Sequence, residues 1–150
     1  MGLGIPESFI EAILDQAEKE YPNECCGLIL RGTKSDDRLR PCRNAQDEYH
    51  SKDPENFSRT AQTAYWIDPK ELFTIQKEIR EKEESISVIY HSHPDAGSYF
   101  SAEDKKRALS EGRPIYPGIK YLVISVKLGK ADDFSLYCWD ENRKEFVLKE

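Results

Sequence analysis

Residues 85–94, SISVIYHSHP, carry Ile86, Val88, Ile89 and Tyr90 and end on a proline. Proline has no backbone N–H, so the strand this run predicts stops at Pro94 and the sheet opens into loops there. Strand side chains alternate in direction, which sets His91 and His93 side by side on one face and turns Ser92 to the other. Any fold this chain adopts must therefore hold two imidazoles together at a strand end. The next ten residues, DAGSYFSAED (95–104), bring Ser101 and Asp104 within a short loop of that pair.

The flanking pattern places this strand in a layered fold. Pro6 to about Glu20 reads as an amphipathic helix with Phe9, Ile10, Ile13, Leu14 and Ala17 on one face, stopped by YPN (21–23). CCGLILRG (25–32) predicts a buried strand, and RLRPC (38–42) its partner. Residues 44–63 are polar, contain Asp53-Pro54 and show no periodicity, so they read as a long loop. DPKELFTIQKEIREKEE (68–84) predicts a helix capped by Asp68, with Pro69 in its first turn and Glu71 completing a capping-box pattern. Leu72, Phe73, Gln76 and Ile79 are read as lying close together on one face. SAEDKKRALSEG (101–112) predicts a short helix stopped at Gly112. IKYLVISVKLG, DFSLYCWDE and KEFVLKE then predict three strands joined by hairpins. The order α-β-β-α-β-α-β-β-β implies an α/β fold, with a mixed central sheet flanked by helices.

Length and charge narrow the functional classes. One hundred and fifty residues with no internal repeat fit one domain, 1–150. The longest apolar runs, such as YLVISV (121–126), are strand-sized and far short of a membrane span. The N-terminal stretch lacks a basic region and carries Glu7 and Glu11, unlike a secretory signal. A net charge of −6 argues against broad nucleic-acid binding. The four cysteines, Cys25, Cys26, Cys42 and Cys138, form no CxxC pair. That disfavours a zinc ribbon or a disulfide framework and points to reduced thiols in the cytoplasm. Cys25 and Cys26, adjacent in a strand, would face opposite ways as small buried hydrophobes.

Two interpretations of 91–104 follow from the residues themselves. His91 and His93 suit two ligands on one divalent ion, with Asp104 folding back as a third. Alternatively, SAED is a capping box, Ser101 and Asp104 serve only to start a helix, and the histidines are incidental to a strand end. One carboxyl devoted to both tasks is not expected, so the interpretations make different structural claims.

With these residues in hand, the chain resembles the JAMM (MPN-plus) metallopeptidases, whose signature is a distant Glu followed by H-[ST]-H-P-x6-S-x2-D. HSHP (91–94), DAGSYF (95–100) and SAED (101–104) match it in type and spacing. YPNECCGLILRG (21–32) resembles the P-x-E-x-C-G-L-x-x-G element of prokaryotic members, with Glu24 at the glutamate. The resemblance runs from the first helix to the strand at 119–127. It implies a cytidine-deaminase-like architecture and one zinc ion held by His91, His93 and Asp104. It further implies Glu24 as the acid–base residue and Ser101 as donor to the oxyanion. The implied activity is hydrolysis of a peptide or isopeptide bond at the Gly-Gly tail of a ubiquitin-like or sulfur-carrier protein, or of cell-wall peptides in phage-tail relatives. A strand edge would hold the tail, with 44–63 as a flap. Phe100 stands where many relatives have proline, which bears on loop stiffness, and His50 matches nothing in the pattern and reads as an exposed loop histidine. A non-catalytic MPN-type interaction module and a thiol hydrolase using Cys25 or Cys26 are the remaining alternatives. A nucleobase deaminase lacks its H-x-E and P-C-x-x-C elements here.

Overall fold

In the computed structural model, which describes residues 4–149, twelve elements follow in chain order. They are α1 (Glu7–Glu20), β1 (Cys26–Gly32), β2 (Arg38–Cys42), α2 (Gln46–Lys52), α3 (Pro69–Lys82) and β3 (Glu84–Pro94). Then come α4 (Ala102–Ala108), β4 (Leu109–Ser110), β5 (Arg113–Pro114), β6 (Lys120–Lys127), β7 (Lys130–Asp140) and β8 (Glu145–Leu148). The start of the N-terminal stretch, Met1–Leu3, and the last residue read into the final strand, Glu150, lie outside the described residues.

Six strands form one sheet in the order β2-β1-β3-β6-β7-β8. Every joint is antiparallel except β3–β6, which is parallel. A parallel joint needs a crossover, and α4 with the β4–β5 hairpin supplies it. The expected mixed, helix-flanked α/β sheet is therefore present.

Strand alternation splits the core in two. Cys25, Ile29, Val88, Tyr90, Leu122 and Ile124 face Ile13 and Ala17 of α1. Cys26, Leu28, Leu30, Ile89, Tyr121 and Val123 face Ile75 of α3 and Ala108 of α4. Each fully buried large aliphatic side chain contributes about 1.5–3 kcal/mol. Cys25 and Cys26 do point to opposite faces. Gly27 follows them, and a larger residue is disfavoured there because an added Cβ would come within 2.2 Å of the Tyr90 hydroxyl. That hydroxyl donates to Gln16 Oε1 at 2.5 Å, joining α1 to the sheet.

Four local expectations are corrected. Residues 46–52 are helical rather than loop, and the segment is held by packing: the rings of Tyr49, Phe57 and Trp66 meet tilted or edge-on with centroids 5.0–6.0 Å apart. Fully buried Gln46 also donates to Arg59 O at 2.8 Å. The flap assigned to 44–63 thus has a helix and an aromatic anchor within it. Phe73 is 72% exposed and Gln76 is exposed, because the stripe that meets the sheet is Leu72, Ile75 and Ile79. Asp68 does cap α3, accepting from Lys70 N at 2.8 Å, but Glu71 turns outward to Arg40 Nη1 at 3.0 Å and leaves no capping box. Finally, α4 stops at Ala108. Glu111 (φ 53°) and Gly112 (φ 78°) instead form the two-residue turn of the β4–β5 hairpin, whose left-handed backbone suits such turns.

Arg38 grips Glu84, at the start of β3, with two hydrogen bonds of 3.0 and 2.8 Å. These bonds outweigh burial and lower the Glu84 pKa. A carboxylate with a lowered folded pKa adds stability above its unfolded pKa and loses it as pH falls through the folded value. Glu84→Gln is expected to cost about 1–3 kcal/mol at pH 7. It should also flatten the loss of stability below about pH 4.5, as measured by urea unfolding across pH.

Candidate metal centre and active-site cleft

Register brings the site together. His91 and His93 end β3 on the face that carries Ile89, and both are buried. Ser92, on the opposite face, accepts from Cys25 N at 2.7 Å. Cys26 of β1 pairs with His91, and Ser92 N donates to Cys25 O at 3.1 Å. Continuing that antiparallel register by one residue sets Glu24 opposite His93. Two contacts fix the Glu24 backbone: its N–H donates to Ala61 O at 2.8 Å, and its carbonyl accepts from Asn44 Nδ2 at 2.9 Å.

The loop after Pro94 is tied down along its length. Tyr21 Oη and Leu128 N donate to the Asp95 carboxylate at 2.5 and 2.8 Å. Ser125 Oγ donates to Ala96 O at 2.5 Å, and Tyr137 Oη to Ser98 O at 2.9 Å. Phe100 is buried against Tyr121, Tyr137 and Phe146, with centroids 4.8–5.5 Å away. Packing gives the loop the rigidity that a proline would otherwise supply.

This loop delivers Asp104 to the histidines. His91 Nε2 and His93 Nε2 each lie 3.0 Å from Asp104 Oδ2 and 3.3 Å from one another. For ligand bonds of about 2.0–2.1 Å, the corners of a tetrahedron stand roughly 3.3–3.4 Å apart. The three atoms thus form a nearly equilateral face of the size that a four-coordinate metal needs. His93 Nδ1 lies 2.9 Å from Gly97 O, and a proton there leaves the Nε2 lone pair facing the centre. Two imidazole nitrogens and a carboxylate oxygen converging in a buried site can hold a metal ion.

Capping and metal-site geometry turn out to coexist. Ser101 N donates to Asp104 Oδ2 at 3.0 Å while Asp104 N donates to Ser101 Oγ at 3.0 Å, a complete capping box. The box aims the carboxylate at the histidines, so the expectation that one task excludes the other is overturned. The reason is that one carboxylate oxygen has room for several partners. Burial acts to raise the Asp104 pKa, but the adjacent imidazoles outweigh it and hold the carboxyl far below the usual range. Ser101 Oγ, an acceptor in the box, keeps its own proton free to donate.

Glu24 is 3% exposed, and its Oε1 has no hydrogen-bond partner. Burial first, then the charge of Asp104, push its pKa well above the ordinary carboxylate value, while Arg59 opposes them. Glu24, His93 and Ser101 line one cleft of about 110 Å³ with Arg59, Gln62, Thr63 and Tyr99. The last four carry no motif, and sequence reading missed them. So it did Tyr65, which stacks on His91 at 4.6 Å. Residue type could have pointed to Arg59, Tyr65 and Tyr99, whereas nothing in the sequence marked Gln62 or Thr63.

Other candidates lie outside the centre. His50 is a half-buried helix residue rather than an exposed loop one, and its Nδ1 lies 2.7 Å from Phe57 O. Burial pushes the Cys25 thiol up to about 12 and raises Cys26 well above its ordinary value, the opposite of an activated thiolate. No helix among the described residues is long and apolar enough to cross a membrane.

The fold and the His-His-carboxylate centre define a JAB-type α/β protein with a site able to bind a metal. The chain belongs to the prokaryotic homologs of the JAB domain, whose family model matches residues 6–139. It is 27% identical over 125 residues to the CysO-cysteine peptidase of Mycobacterium tuberculosis, covering 83% of this chain and 74% of that one. With the desampylase of Haloferax volcanii it shares 27% identity over 119 residues, 79% of this chain and 74% of the other. It is 32% identical over 99 residues, 64% of its length, to the tail tip assembly protein K of Escherichia phage N15. The matched part spans only 32% of that phage protein. A solution structure from Desulfitobacterium hafniense, 24% identical, superimposes with a TM-score of 0.67 over 96% of this chain and 87% of its own. That likeness supports the fold.

Proposed function

We propose that this protein is a zinc-dependent peptidase that hydrolyses an amide bond at the C-terminal tail of a ubiquitin-like or sulfur-carrier protein. The observation that carries this reading is the buried His91–His93–Asp104 triangle beside a glutamate whose carboxyl has no partner. Two imidazoles and one carboxylate, with a fourth position left for water, are a donor set suited to catalytic zinc. Bound zinc supplies Lewis acidity, acidifying water and polarising a carbonyl oxygen.

The chain's own residues carry the remaining steps. Glu24 accepts the proton of the attacking water and returns it to the departing amine. Ser101 Oγ–H donates to the carbonyl oxygen as negative charge develops there. His93, oriented through Gly97 O, keeps its lone pair on the metal side, and the capping box does the same for Asp104. Names of relatives, a CysO-cysteine peptidase and a desampylase, support a protein tail as substrate. Four free cysteines suit a reducing cytoplasm. The similarity to a phage tail tip protein makes wall peptides the second substrate class to assay.

Incubation of purified protein with Gly-Gly-tailed carrier proteins and wall peptides tests the proposal. Cleavage should stop on chelation and return on adding zinc. Cleavage that persists in chelator would overturn the metal-dependent reading. A zinc-loaded protein that binds tailed carriers and cuts none would favour a non-catalytic module.

A further inference from the structure

Among the described residues, Arg59 is the one arginine or lysine lining the cleft that holds Glu24, His93 and Ser101. Its backbone is anchored, since Arg59 O accepts from the fully buried amide of Gln46 at 2.8 Å. Its guanidinium is underused. Nη1 reaches Thr63 O at 3.4 Å, and Nε lies 3.7 Å from Glu103 Oε1. Glu103 is engaged more closely by Arg107, at 3.1 Å, and Arg107 itself lies over the rings of Phe57 and Trp66. A guanidinium offers five N–H donors in a planar fork that matches a carboxylate. Arg59, 48% exposed, keeps most of them for a ligand.

We infer that Arg59 is a specificity-determining residue that binds the free α-carboxylate of the C-terminal amino acid being released. The inference rests on the hydrolase reading above and deepens it. If Glu24 protonates the departing amine, that amine leaves from beside Glu24. In a terminal amino acid the amine and the carboxylate share one Cα, so the carboxylate stays close to the departing nitrogen and within the same small cleft as Arg59. In an isopeptide the departing nitrogen is a lysine Nζ, and a four-carbon stem separates it from the lysine backbone. No carboxylate would then reach the fork. Arg59 thus selects, among the amide bonds open to this centre, those to an α-linked terminal residue with a free carboxyl end. Hydrolysis yields the shortened tail with its own carboxylate and the free amino acid, one water being consumed.

The test uses the zinc-loaded full chain and paired peptides ending in Gly-Gly-Ala, one with a free carboxylate and one as the C-terminal carboxamide. Wild-type protein should favour the acid by at least about tenfold in kcat/KM, as a charge-assisted bidentate contact allows. In Arg59→Ala the acid-to-amide ratio should fall to near one. Arg59→Lys, which keeps the charge without the fork, should retain part of the preference. Equal cleavage of acid and amide by wild type would overturn the role of Arg59 and leave the hydrolase reading intact. If neither peptide is cut, the hydrolase reading fails for these tails, and calorimetric binding to the Glu24→Gln protein decides on Arg59. Tighter binding of the acid that Arg59→Ala abolishes would support the carboxylate site; equal or absent binding of the two peptides would overturn it.

Discussion

Glu24→Gln is expected to lower kcat/KM by about 10²–10⁴-fold while the protein keeps its metal. Glutamine preserves the size and shape of the side chain but cannot take a proton from water or return it to an amine. Glu24 is not among the three residues whose donor atoms converge on the metal centre, so occupancy should not change. The fold should not suffer either. Glu24 Oε1 is buried with no partner, and burial of its charge is what raises its pKa. Replacing a desolvated carboxylate by a neutral amide removes that cost, so the thermal midpoint should hold or rise. Activity, metal content and thermal unfolding measured on one preparation check all three. A variant with wild-type kcat/KM would remove Glu24 from the proposed chemistry. One that melts early would assign the loss to folding.

His93→Ala is expected to weaken metal binding by more than about 100-fold, beyond what loss of an outer hydrogen bond to a ligand usually costs. His93 is central to the site: its Nε2 lies 3.3 Å from His91 Nε2 and 3.0 Å from Asp104 Oδ2. Its removal leaves two ligand atoms and deprives Gly97 O of its partner. His50→Ala is the matched control, because His50 bonds within its own segment to Phe57 O and should leave metal content unchanged. Elemental analysis of the natively purified proteins reads the result. Near-stoichiometric metal in His93→Ala would dismiss the triangle as the binding site, and loss from both variants would indicate a general effect.

Sequence reading went furthest where one local period governs. Alternation along 85–94 put His91 and His93 on one face, and the proline after them placed the pair at a sheet end. It also separated Cys25 from Cys26. It failed where neighbours elsewhere in the chain decide. Polar composition concealed α2, because the aromatic anchor that holds its segment includes Trp66, beyond that segment. Phe73 was grouped on one face with Leu72 and Ile79, because a helical period defines a face but not how much of it the sheet covers. The capping box and the metal-ligand pattern looked like rivals, since a one-dimensional pattern cannot show that one oxygen of Asp104 meets Ser101 N and both imidazoles.

By itself, then, the sequence determined the types and spacing of the chemistry-bearing residues, the paired direction of the two histidines and the layered α/β class. These follow from backbone geometry over a few residues. Only the tertiary structure decided that Glu24 stands opposite His93, that Asp104 closes the triangle, and that Arg59 shares their cleft. Those relations depend on strand register and on a loop anchored by distant side chains, and no local spacing encodes either.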